Sequence, residues 1–104
     1  MKVRWTTYAI EDVRAIRNHI SRDSEHFAGI VVDRIFARIT QLEAFPESGQ
    51  VVPEYGREDI REVLLHSYRI IHHVFPDHVR IITVVHGSMT LPGLPPADGE
   101  QIKG

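Results

Sequence analysis

A chain of 104 residues is long enough for one hydrophobic core and too short for two. Its 42% apolar and 25% charged content is that of a globular protein in water. Having no cysteine, it has no disulfide, thiolate nucleophile or zinc–thiolate site. A net charge of −2 argues against a protein living mainly on nucleic-acid phosphates, though it leaves room for a local patch.

The opening "MKVRWTTY" lacks the apolar segment of a secretory signal, and no apolar run approaches the roughly 18 residues that cross a bilayer. The expectation is therefore a cytoplasmic protein with no membrane partner. Within that opening, "KVRW" alternates, with Val3 and Trp5 on one face, and reads as a short half-buried strand. Thr6 and Thr7 then offer N-cap hydroxyls, and Glu11 and Asp12 fall early in a helix whose stripe is Ala9, Val13, Ile16 and Ile20.

"SRDSEH" breaks the pattern, and a second helix is expected from about Ser24 to Phe45. Its buried stripe is Phe27, Ile30, Val31, Ile35, Ile39 and Leu42, widened by Val32 and Phe36. Pro46 ends it, and the short link folds the two helices into a hairpin. Residues 46–59, "PESGQVVPEYGRED", hold two Pro, two Gly and four acidic residues and read as a loop with little regular structure.

Three strands follow, at 60–65, 68–75 and 79–86, joined by hairpin-length links. From Gly87 the chain is rich in Gly and Pro. Residues 92–104 read as a mobile tail behind a domain of residues 1–91. The expected fold is α+β in the order β-α-α-β-β-β, with the helical hairpin on one face of a small, mainly antiparallel twisted sheet. The other face is then free for a partner.

Four of the seven histidines lie in "YRIIHHVFPDHVRIITVVHG", residues 68–87. With Pro76–Asp77 as the turn, Phe75 pairs with His78. Tyr68, Ile70, His72 and Val74 share the helix-facing side with Val79, Ile81, Thr83 and Val85. Arg69, Ile71, His73 and Phe75 share the other with His78, Arg80, Ile82, Val84 and His86. His72 and His73 then point apart, and His86 lies level with Ser67, roughly 20 Å away at 3.3 Å per residue. No metal site can converge from that spacing, and none is expected. No cofactor is expected either. His72 reads as a neutral core histidine. Arg69 and Arg80 remain able to support a phosphate, and His73 or His86 to move a proton, against the alternative that this face is only solvated or meets a protein.

Beyond composition and register, the chain resembles the RelE/ParE superfamily of bacterial type II toxins. The resemblance rests on Trp5, "A..DV..I..HI" from Ala9 to Ile20 and "L..FPESG" from Leu42 to Gly49. It continues through "IREVLLHSYRIIHHV" from Ile60 and "VRIITVVHGSMTL" from Val79 to Leu91. It implies either a ParE-like plasmid-stabilisation toxin that poisons DNA gyrase or a RelE-like ribosome-dependent endoribonuclease that cuts mRNA. Either would have a neutralising antitoxin.

Arg69 matches the ribonuclease branch, but Glu62 stands where a Lys is expected and Ser88–Met89 where many members carry Arg. No Tyr follows Tyr68. The reading therefore leans to a ParE-like toxin that binds gyrase without catalysis. The ribonuclease alternative would use Arg69, His73, Arg80 and His86. A degenerate homologue that only holds an antitoxin is the third alternative. Arg14, Arg17, Arg34, Arg38, Arg61, Arg69 and Arg80 are the candidate contacts to antitoxin or target, and a homodimer is left open.

Overall fold

The computed structural model describes residues 1–88 and 102–103. Strand β1 (Lys2–Thr6) leads into α1 (Thr7–Ser21) and α2 (Glu25–Ala44). These are followed by β2 (Gln50–Val51), β3 (Ile60–Leu65), β4 (Tyr68–Val74), β5 (His78–His86) and β6 (Ile102–Lys103). The sheet order is β2-β3-β4-β5-β1-β6. β1 runs parallel to β5 and the other pairings are antiparallel. The α+β plan with a helical hairpin on a mainly antiparallel sheet is thus the observed one.

Each helix begins where a side-chain oxygen can take an orphan N–H. Thr6 Oγ1 accepts from Ala9 N at 3.1 Å, and Ser24 Oγ from Phe27 N at 3.0 Å. The helices bury Ala9, Val13, Val31, Ile35, Ile39 and Leu42 against Val63, Ile70, Val79, Ile81 and Val84 of the sheet. Phe27 and Phe36 depart from the expected stripe: they are about half exposed, and Ala28 takes the buried position instead. Phe36 leans on the Trp5 ring with centroids 5.5 Å apart.

The β4–β5 register begins as expected, with Val74↔Val79, His73↔Arg80 and His72↔Ile81. It then shifts by one residue to Ile71↔Thr83, Ile70↔Val84 and Tyr68↔His86. Ile82 is the extra residue of a β-bulge. The bulge moves Val84 to the helix side and Val85 to the opposite side, reversing their expected placement, because a one-residue slip exchanges the two faces of a strand. It also sets His86 across from Tyr68 rather than Ser67.

The end of β1 and the first helix together stabilise this irregular stretch. Thr6 Oγ1 donates to Ile82 O at 2.6 Å. Pairing with β1 stops at Trp5↔Ile81, so the Val84 N–H lies beyond the reach of that strand. Asp12 Oδ2 accepts it at 3.0 Å and also accepts the Thr83 hydroxyl. Asp12 therefore does not serve the first turn of α1, as its place in the sequence suggested. Burial beside β5 raises its pKa, opposed by the Thr83 and Val84 hydrogen bonds.

The face away from the helices is not free. A second core of Val52, Ile60, Ile71, Ile82 and Val85 lies there, with Tyr55 packed over it. The segment 46–59 is more regular than expected because β2 pairs with β3 through Gln50↔Glu62 and Val51↔Arg61. Gly49, at φ +86°, allows this pairing: a Cβ there would sit 1.9 Å from the Glu62 carbonyl oxygen. At the far edge Ile102 and Lys103 pair with Thr6 and Trp5. The rest of the expected mobile tail lies outside the described residues.

Candidate functional site

Arg69 and Glu62 both face the second side of the sheet, one from β4 and one from β3, and the loop after β2 brings Glu54 above them. Arg69 Nε and Nη2 donate to Glu62 at 2.6 and 3.2 Å, and Nη1 and Nη2 donate to Glu54 at 2.7 and 2.8 Å. Arg69 and Glu62 are buried and Glu54 nearly so. The guanidinium is clamped by two carboxylates, which raise its pKa still further, while Arg69 holds Glu54 below the usual carboxylate range.

His73 sits four residues further along β4, on the same side. Its Nε2–H donates to Asp59 Oδ2 at 2.8 Å, and its Nδ1 accepts from Arg80 Nη2 at 3.4 Å, an arrangement that suits the neutral ring. Burial lowers its pKa, partly opposed by Asp59. Asp59 is in turn held below the usual range, chiefly by Arg57 and then by His73. Phe75 stacks between the imidazoles, with centroids 4.0 Å from His73 and 4.5 Å from His78, and the Arg80 guanidinium lies 5.1 Å from its centroid.

His72, on the helix side, is fully buried. Its Nε2–H donates to the Pro46 carbonyl at 3.0 Å, and burial brings its pKa down to about 4. This is the core histidine expected from the register. No group of three or more His, Cys, Asp and Glu among the described residues is placed to hold a metal ion.

The four residues of the alternative ribonuclease reading, Arg69, His73, Arg80 and His86, do not converge. Arg69 and His86 lie near the Tyr68 end of the hairpin, and His73 and Arg80 pair at the other. Four residues along β4 separate Arg69 from His73, about 13 Å at 3.3 Å each. His86 is exposed. Its Nδ1 accepts from the Ser88 hydroxyl at 2.8 Å, and its ring meets Tyr68 edge-on at 6.0 Å. Together with Leu64, Ser67 and Arg69 these residues line a cleft of about 430 Å³.

The remaining candidate arginines are spread over the helices and the β3 edge. Arg14 lies 3.5 Å from Glu11, and Arg17 is exposed. Arg34 donates to His66 at 3.0 Å and Arg38 to Gln41 at 2.6 Å. Arg61 donates to the Gly49 carbonyl at 3.3 Å. Arg38 lines a shallow groove with Gly49, Gln50, Val63 and exposed Leu64. Sequence reasoning missed Glu54 and Asp59 as the partners of Arg69 and His73. The available signal was a loop with four acidic residues placed before strands that bury an Arg and a His on one face.

The family model described as the ParE toxin of the type II toxin-antitoxin system, parDE, matches residues 3–91. The chain belongs to the ParE toxin family. As a member it is a toxin of the type II class. Among solved structures, a chain described as the chromosomal ParDE TA system from P. aeruginosa superposes with a TM-score of 0.70. It is 20% identical, over 83% of this chain and 95% of that one, a likeness of fold. No curated protein matches. Among the described residues no helix is long and apolar enough to cross a membrane.

Proposed function

We propose that this ParE-family toxin inhibits DNA gyrase by binding, without a catalytic step of its own. The observation that carries this reading is the double clamp on Arg69. The one cation retained from the ribonuclease pattern is engaged by Glu54 and Glu62, on the opposite end of the face from His73 and Arg80. RNA cleavage by 2′-hydroxyl attack needs a base, an acid and cationic support at one point. Purified toxin is expected to block supercoiling by gyrase or to trap its cleavage complex. No effect at micromolar toxin would sink the proposal.

A cognate antitoxin is the expected partner in the cytoplasm. Its docking segment would lie along the helices and the β3 edge, where Leu64 stands exposed beside the groove containing Arg38. Arg14, Arg17, Arg34 and Arg61 are further proposed contacts for acidic side chains of that segment.

The rival reading, a ribosome-dependent mRNA endoribonuclease, draws on the cleft that holds Tyr68, His86 and Ser88 beside Arg69. It requires new 5′ ends in ribosome-bound message during growth arrest. Intact transcripts in arrested cells would eliminate it.

A further inference from the structure

The β3 edge of the sheet is only partly covered. Val52 N donates to Ile60 O at 3.1 Å, so the backbone groups of Ile60, Glu62 and Leu64 point toward β2. β2 pairs with Arg61 and Glu62 and goes no further, because the chain turns at Gly49, whose φ is +86°. The N–H and C=O of Leu64 therefore have no strand partner on that side among the described residues. Its side chain, 57% exposed, stands on the same face as Arg69.

Helix α2 lines this edge with cations. Arg34 donates to His66 Nε2 at 3.0 Å, Arg38 to Gln41 at 2.6 Å, and Arg61 to the Gly49 carbonyl at 3.3 Å. All of these acceptors are neutral, so the arginines keep an uncompensated charge. No carboxylate among the described residues lies within ion-pair distance of Arg34, Arg38 or Arg61, whereas Arg57 and Arg69 both hold one. Glu62 reaches the groove of about 310 Å³ between Arg38 and Leu64, but it is buried and committed to Arg69. Arg61 and Arg38 both disfavour a charge on His72, which sets them at the same end of the edge.

We propose that this edge binds an extended acidic segment of a protein partner, with an apolar residue between two acidic ones set against Leu64. Strand geometry supplies the pattern. A residue placed across from Leu64 takes both of its free backbone hydrogen bonds and packs its own side chain on Leu64. Its two chain neighbours then point to the helix side, roughly 6.6 Å apart. Arg34 and Arg38 lie four residues apart on α2, about 6 Å along its axis, so each can meet one carboxylate. A second copy of this chain would set the same arginines against each other. A nucleic acid would use the arginines but leave Leu64 and its backbone groups unmatched. Naming the partner as the antitoxin rests on the proposed function.

The test is an NMR titration of the whole, isotope-labelled toxin with a synthetic peptide of alternating Glu and Val, and with its Lys–Val counterpart. The Glu–Val peptide should bind and protect the Leu64 amide from hydrogen exchange, and the Lys–Val peptide should not bind. Arg34→Gln and Arg38→Gln should each weaken binding about threefold. Leu64→Asp, at an exposed site, should abolish it, and Arg22→Gln at the end of α1 should leave it unchanged. No binding at millimolar peptide, equal binding of both peptides, or protection that spares Leu64 would each overturn the proposal. So would indifference to Arg34→Gln and Arg38→Gln, preference for a nucleic-acid strand, or a toxin dimer that Leu64→Asp dissolves. The titration contains no antitoxin. Peptide binding by a toxin that no co-encoded protein neutralises sustains the edge and sinks the antitoxin reading. Neutralisation of the Leu64→Asp toxin as complete as that of wild type does the reverse.

Discussion

Arg69 Nε donates to Glu62 Oε1 at 2.6 Å across the β3–β4 pair, with both side chains buried. The pair inverts what each residue suggests alone. Glu62 does not oppose a phosphate beside Arg69; it occupies the guanidinium that would have met one, and Glu54 completes the clamp. Removing one partner of such a group leaves the other charged and buried. Arg69→Ala is expected to destabilise the fold by about 3 kcal/mol or more, read as a fall in the urea midpoint. Arg69→Met combined with Glu62→Leu should recover most of that loss. Equal loss in the single and double variants would show that the clamp is not what holds this region.

His72 makes stability depend on pH. Its pKa is about 4 in the folded protein and near 6.5 when exposed, so between those values the unfolded chain binds a proton that the native state refuses. Stability contributed by the neutral ring is present above about pH 6.5 and is lost as pH falls toward 4. The loss between pH 7.5 and 5 should be about 2 kcal/mol from this residue. His73, lowered in the same direction, adds to it. Denaturant melts of His72→Gln should show a flatter dependence over that window, and an unchanged slope would refute the assignment.

Asp12 acts with the opposite sign. Its carboxyl titrates above the ordinary value in the native state, so acidification through that raised pKa protonates the folded form first and adds stability. Asp12→Ala removes the acceptor for Val84 N and Thr83 Oγ1 and should cost about 1–3 kcal/mol. Asp12→Asn, which keeps an acceptor oxygen, should cost less. Amide exchange at Val84 is the local measurement. It should accelerate more in the alanine variant than in the asparagine one.

Gly49→Ala is expected to unseat β2. The added methyl would collide with the Glu62 carbonyl, and the backbone sits in the left-handed region. Strain of this kind costs of order 1–3 kcal/mol before the collision is counted. Because β2 precedes the loop carrying Glu54, thermal denaturation should show a lower midpoint together with increased protease sensitivity near residues 50–59. An unchanged midpoint would argue against the close approach.

Much of this protein was legible in the sequence. The alternation in "KVRW", the four–three–four spacing of Ala9, Val13, Ile16 and Ile20, and the Pro76–Asp77 turn depend on local periodicity and local chemistry. They specified the order of β1, α1, α2, β3, β4 and β5, the hairpin start and the buried, neutral state of His72, but not the short strands β2 and β6. The bulge at Ile82 was not legible, because nothing in "VRIITVVH" marks which residue is extra. That choice follows from Thr6 and Asp12, more than seventy residues away, satisfying backbone groups that only the assembled fold brings near them. The fate of Arg69 was hidden for the same reason. Sequence shows that an arginine is present. Whether it meets a ligand or two carboxylates depends on the path of a loop over the sheet, and that path is decided by the burial of Val52 and Tyr55 against Ile60, Ile71 and Ile82.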